Sequence, residues 1–204
     1  MSIAIHEKLL AKFKYRFPTV HEMLSANGVL CLREGKDADF FAHMARTVAG
    51  QQLSKQAATT IWKRVLSEAE RNGIGIFEFC GELHKDEIRK CGLSRSKVSA
   101  ILSLKAAIEN NEIVSKSLRQ APLDEIRKQV TKLWGFGDWS ADMIAISFFG
   151  HPDVWAPGDA ALQRGVKILS GGDAALEVEI LRMVRPYRTY LALHVWRALD
   201  SKII

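Results

Sequence analysis

Apolar residues along this chain recur at steps of three and four almost throughout. Phe40, Phe41, Met44 and Val48 form one such series, and Ala57, Ile61 and Val65 a second. Val98, Ile101 and Leu102 make a third, and Leu123, Ile126, Val130 and Leu133 a fourth. This spacing gathers the apolar side chains of each segment on one face of an α-helix. Strict alternation, the mark of a half-buried strand, is scarce. Polar punctuation agrees with the helical reading. Ser54 and Ser94 stand where N-caps belong, and Gly50, Gly92, Gly150 and Gly171-Gly172 where helices end. Pro18, Pro122, Pro157 and Pro186 fall where a helix begins or a loop turns. Connections are expected around Gly73-Ile74-Gly75 and at Glu109-Asn110-Asn111-Glu112. Without an internal repeat or a low-complexity linker, the pattern predicts one all-α domain over residues 1–204. Its expected form is two helical lobes with a cleft between them.

The stretch richest in chemistry is Leu133-Trp134-Gly135-Phe136-Gly137-Asp138-Trp139-Ser140-Ala141-Asp142, followed by Trp155-Ala156-Pro157-Gly158-Asp159. The first run reads as two helices joined by a tight Gly-x-Gly turn, a helix-hairpin-helix at about 123–149. Main-chain N–H groups at the start of the second helix, around Gly135, Phe136, Gly137 and Asp138, can hold a phosphate with help from the helix dipole. Such contacts read no base sequence. By itself a Gly-x-Gly turn serves equally well to permit positive φ and close packing. The second run sets a carboxylate, Asp159, at the mouth of the next helix, where Asp is also a good N-cap.

Composition narrows the setting. The chain has 204 residues, 48% of them apolar and 25% charged, enough for an ordinary buried core. Its 29 Lys and Arg against 23 Asp and Glu give a net charge of +6, which suits a polyanionic partner without proving one. Cys31, Cys80 and Cys91 are too few for a disulfide framework or a zinc site. They also cannot supply the four thiolates of an iron–sulfur cluster. No apolar run approaches the ~18 residues of a membrane span. The N-terminus lacks the features of a secretory signal, so a cytoplasmic, bacterial-type location with the nucleoid is expected.

Residue by residue, the run Leu-x-Gly-x-Gly-x-Trp-Ser-Ala with the later Pro-x-Asp resembles the 3-methyladenine DNA glycosylase II branch of the helix-hairpin-helix DNA glycosylase superfamily. Three further segments are similar to that branch and follow its order. They are Val48-Ala49-Gly50-Gln51-Gln52-Leu53-Ser54, Gly92-Leu93-Ser94-Arg95-Ser96-Lys97, and Arg185-Pro186-Tyr187-Arg188-Thr189-Tyr190 with His194-Val195-Trp196. The stretch before Val48 is too short for the β-rich lobe of the best-known bacterial member, so the compact form is expected. Trp134 stands where the family usually has Pro.

The resemblance implies a monofunctional glycosylase that removes alkylated purines such as 3-methyladenine and 7-methylguanine from double-stranded DNA in base excision repair. It implies a monomer with no cofactor and no catalytic metal; hairpin carbonyls of relatives sometimes hold a structural monovalent cation. Asp159 would be the catalytic carboxylate, stabilising the oxocarbenium-like sugar and orienting or deprotonating water. Trp139 and Trp196, with Met143 one turn beyond Trp139, would line the pocket of an extruded cationic base; both indoles would also serve as ordinary core. Gln51, Gln52 and Leu53 are the candidates for filling the gap the base leaves, Gln52 foremost. Arg95, Lys97 and Arg188 are either phosphate contacts or solvated surface charges. Asp138 and Asp142 are expected on the hairpin and the helix surface, and Asp153 in a loop. Strand-cutting relatives carry a Schiff-base lysine two residues past the second hairpin Gly. This chain has Trp139 there, which cannot act as an amine nucleophile. Two other readings remain: a glycosylase for deaminated or oxidised bases, and a non-catalytic DNA damage-binding protein.

Overall fold

The computed structural model describes residues 3–204, and every regular element among them is helical. In chain order these are α1 (Ile3–Phe13), α2 (Pro18–Asn27), α3 (Phe40–Gly50), α4 (Lys55–Arg71), α5 (Ile76–Phe79) and α6 (Lys85–Lys90). There follow α7 (Arg95–Glu109), α8 (Ser115–Arg119), α9 (Leu123–Thr131), α10 (Asp138–Ser147), α11 (Ala160–Leu169), α12 (Ala174–Met183) and α13 (Arg188–Asp200). The all-α expectation holds. The helices gather into two compact units, one of residues 34–149 and one that joins residues up to 33 with residues 150–204.

In the unit of residues 34–149, α3 lies at the centre and packs on α4, α7 and α10. Its Phe40, Phe41, Met44, Ala45, Val48 and Ala49 are buried, the stripe that the periodicity marks. Val98, Ile101 and Leu104 of α7 complete this core, with Ile126 and Val130 of α9 against Ile144 and Ala145 of α10. The buried face of α4 is one step off the expected series. Trp62, Val65 and Ala69 are inside, whereas Ala57 and Ile61 are half-buried. The reason is area: the indole of Trp62 lies on the same helical face as Val65 and removes far more apolar surface from water than an alanine can. Ser54 and Ser94 cap as predicted, accepting from the N–H of Ala57 (3.2 Å) and Lys97 (3.3 Å).

In the other unit α13 packs on α11 and α2, and α1 on α2. Leu9, Phe13, Val20, Leu24, Leu162, Val166, Leu191 and Val195 form its core. Gly165 is required here: a Cβ on it would overlap the side chain of Val195, so its absence lets α11 and α13 approach closely. That close approach brings the start of α11 to the side of α13.

Candidate active site

The hairpin is built from both its buried and its exposed residues. Leu133 and Phe136 are buried and pin the turn, with the N–H of Phe136 donating to Leu133 O at 3.1 Å. Phe136 therefore offers a ligand only its main chain. Gly135 has φ +84°, and a Cβ there would also overlap Ala100 of α7. Gly137 differs: its φ is −101°, and a Cβ on it would meet nothing within 4 Å. Gly137 is the N-cap of α10, and no side-chain cap of that helix is seen among the described residues. Ser54, Ser94, Asp159 and Asp173 do cap theirs. The first-turn amides of α10 thus open, beside an exposed Asp138, onto a site where an anionic acceptor can approach the backbone.

Gln51 ends α3, and its side-chain amide donates to Gly135 O and to Ser140 Oγ, both at 2.9 Å. Of the three gap-filling candidates the structure turns Gln51 into the hairpin and leaves Gln52 and Leu53 exposed. Gln52 has φ +56°, an uncommon left-handed backbone for a side chain of its type. Lys97 is not directed outward to a phosphate. Its ammonium donates to Ala49 O (2.9 Å) and Gln51 O (2.8 Å), and burial pushes its pKa down. Arg95 is exposed.

On α10, Trp139 and Met143 are half-buried and one turn apart. Asp142 corrects a sequence expectation. It is not on the helix surface but only 2% exposed, with Arg127 Nε and Nη2 each 2.8 Å from its Oδ1. A buried carboxylate needs such a partner, and here the pair ties α9 to α10 behind the hairpin.

In the other unit Asp159 is the N-cap of α11. Its Oδ1 accepts the N–H of Leu162 at 2.9 Å and the indole N–H of Trp196, on α13, at 3.1 Å. Two donors on one oxygen fix the direction of the carboxylate. Trp196 thus meets the site through its polar edge, a contact its expected role as an aromatic wall did not include. The loop before Asp159 is clamped to the start of α13. Thr189 N donates to Pro152 O (3.0 Å), and Thr189 Oγ1 donates to His151 O (2.6 Å) and accepts from Val154 N (2.9 Å). Arg188 likewise turns inward, with its backbone N–H (3.1 Å), Nε (2.8 Å) and Nη2 (3.0 Å) on the carboxylate of Asp153. Burial pushes the pKa of Asp153 up, but these bonds outweigh it and hold the group below its usual range. The sequence reading missed this clamp, because a pair 35 residues apart carries no local signal.

No protein-family model matches the chain. It is 30% identical to the DNA-3-methyladenine glycosylase of Saccharomyces cerevisiae, over all of this chain and 78% of that protein. It is 24% identical to DNA-3-methyladenine glycosylase 1 of Schizosaccharomyces pombe, over 77% of this chain and 71% of that protein. Its fold matches the solved structure of the Schizosaccharomyces pombe 3-methyladenine DNA glycosylase Mag1 in complex with abasic DNA. That match has a TM-score of 0.80 and 20% identity, over 95% of this chain and 97% of that one. No helix among the described residues is long and apolar enough to cross a membrane.

Proposed function

The chain belongs to the DNA-3-methyladenine glycosylase family of the helix-hairpin-helix superfamily, and we propose that it excises alkylated purines from double-stranded DNA with Asp159 as the catalytic carboxylate. The observation that carries this assignment is the orientation of Asp159, held by the Leu162 amide and the Trp196 indole on one oxygen. In the reaction the bond between C1′ and the base nitrogen breaks, and its electron pair leaves with the base. Positive charge develops on the deoxyribose, and a fixed carboxylate stabilises it electrostatically. Water then adds at C1′ and gives up a proton to Asp159 or to solvent, which leaves a free base and an abasic site. A base carrying a formal positive charge is already a good leaving group, so the step needs no strong general acid, no cofactor and no metal.

The remaining roles follow the same reading. The α10 N-terminus and the Gly135–Gly137 backbone hold one phosphate. The indole of Trp139, with Met143, attracts the face of a cationic base. Gln52 and Leu53, exposed at the end of α3, fill the stack that an extruded nucleotide leaves. Support for DNA as the partner comes from the Mag1 complex with abasic DNA, and support for 3-methyladenine as a substrate from the names of the relatives. Retention of a buttressed Asp159 favours catalysis over mere binding of damage.

The test is a set of duplexes bearing 3-methyladenine, 7-methylguanine, hypoxanthine or 8-oxoguanine, each followed by alkaline cleavage at abasic sites. The wild-type protein is expected to release the methylated bases. Asp159→Asn should slow that release by about a hundredfold or more, roughly 3 kcal/mol of transition-state stabilisation. Asn is as good an N-cap as Asp, so this variant should fold normally. Equal release by both proteins would overturn the assignment.

A further inference from the structure

We infer that Lys97 and Gln51 are positioning residues that join the Gln52-Leu53 tip to the hairpin in one hydrogen-bonded frame, so that the wedge is aimed before DNA arrives. The inference rests on the proposed roles of the hairpin and the tip. Its starting point is the end of α3. A helix C-terminus leaves its last carbonyls without partners inside the helix. Here a single ammonium from α7 takes two carbonyls at that end, Ala49 O at 2.9 Å and Gln51 O at 2.8 Å. Among the described residues the hydrogen bonds of the Lys97 ammonium go to main-chain carbonyls alone. Holding a partly desolvated ammonium against neutral acceptors, and ordering its long stem, is costly. A Met stem would fill similar apolar volume without that cost, so what the ammonium adds is the placement of the junction.

The other half of the frame is the Gln51 side chain, which reaches Gly135 O in the hairpin turn and Ser140 Oγ in the first turn of α10. Residue 51 is thus gripped at its carbonyl by α7 and at its amide by the hairpin. The next residue, Gln52, sits at φ +56°, and Leu53 N closes back on Gly50 O at 3.2 Å. A left-handed backbone at a residue other than glycine persists only where its surroundings over-determine it. The Lys97 and Gln51 bonds supply that determination. A phosphate seated on the first turn of α10 therefore rests on the same helical turn whose buried Ser140 accepts from Gln51 at the base of the wedge. Release of either grip should leave phosphate binding intact and spoil the extrusion that binding is meant to drive.

The experiment compares single-turnover release of 7-methylguanine from a fully paired duplex with release of the same lesion from a one-base bulge, where extrusion costs less. In Lys97→Met the paired rate should fall about tenfold or more while the bulge rate stays within about twofold, because only the costly extrusion needs the aimed tip. Lys97→Arg, which keeps the donors, should recover most of the paired rate. If Lys97→Met fails to fold, both rates fall together, and Gln51→Met, which cuts the other grip, then carries the test with the same expected ratio. A paired-to-bulge ratio equal to wild type in the folded variants overturns the inference. A wild-type protein that releases no methylated base from either substrate overturns the glycosylase reading instead.

Discussion

The indole N–H of Trp196 and the backbone N–H of Leu162 converge on the same carboxylate oxygen of Asp159, at 3.1 and 2.9 Å. The amide bond makes Asp159 a helix cap, and the indole bond ties the cap to α13. Trp196→Phe removes the second donor and keeps most of the ring. We expect the maximal excision rate to fall about tenfold, near 1.4 kcal/mol, with little change in DNA affinity, since the lost bond orients the carboxylate proposed to act on the sugar. Gel-shift titration beside single-turnover excision separates the two. A rate equal to wild type would show that the indole bond does not orient the carboxylate for the reaction.

The helical pattern, the caps at Ser54 and Ser94 and the hairpin were all legible in the sequence, because each depends on neighbours within about one turn. Asp159 was legible as a cap for the same reason, whereas its reading as a chemical candidate came from the family resemblance. What the sequence could not show is which polar side chains turn inward. Lys97, Asp142 and Arg188 look like surface charges in one dimension, yet each is committed to a partner at least 15 residues away. Gln51 and Gln52 are neighbours of the same type, and only the turn at the end of α3 sends one amide into the hairpin and leaves the other exposed.

The two hairpin glycines should part company on mutation. Gly135→Ala must accommodate a Cβ at φ +84° against Ala100, so it should destabilise the fold by about 1–3 kcal/mol. At Gly137 a Cβ meets only open space, so Gly137→Ala should leave the melting temperature nearly unchanged. That methyl would instead stand where a phosphate must approach the α10 N-terminus, and DNA affinity should drop several-fold. Thermal unfolding and binding titrations on both variants check this. A Gly137→Ala protein with wild-type affinity would remove the hairpin from the DNA interface.

We expect hydrolysis without strand cutting, because Trp139 supplies no amine at the position two residues past Gly137. Incubation with lesion-bearing duplex and borohydride should trap no covalent protein–DNA adduct, and strands should break only after alkali. An adduct that survives denaturing electrophoresis would show that a lysine elsewhere reaches C1′.

Stability should depend on pH through His194. This side chain is fully buried on α13, stacked on His6 at 5.6 Å between ring centroids, and neither of its ring nitrogens has a hydrogen-bond partner among the described residues. Burial lowers its pKa from 6.5 to about 4, with the nearby His6 adding to the effect. The unfolded chain therefore takes up a proton near pH 6.5 that the folded chain refuses until about pH 4. Stability is complete above the higher value and is lost progressively as the pH falls between the two, by at most about 3 kcal/mol. Asp153 acts in a separate, lower window: its depressed pKa gives stability that is present above 3.8 and lost only as pH falls through its folded value. His43, also lowered by burial, adds to the loss in the same direction as His194. Denaturant unfolding at pH 7.5 and pH 5 isolates the His194 share when wild type is compared with His194→Phe, which keeps a stacked ring and cannot be protonated. The variant should lose markedly less stability between those pH values, and an identical loss in both proteins would assign the effect to other groups.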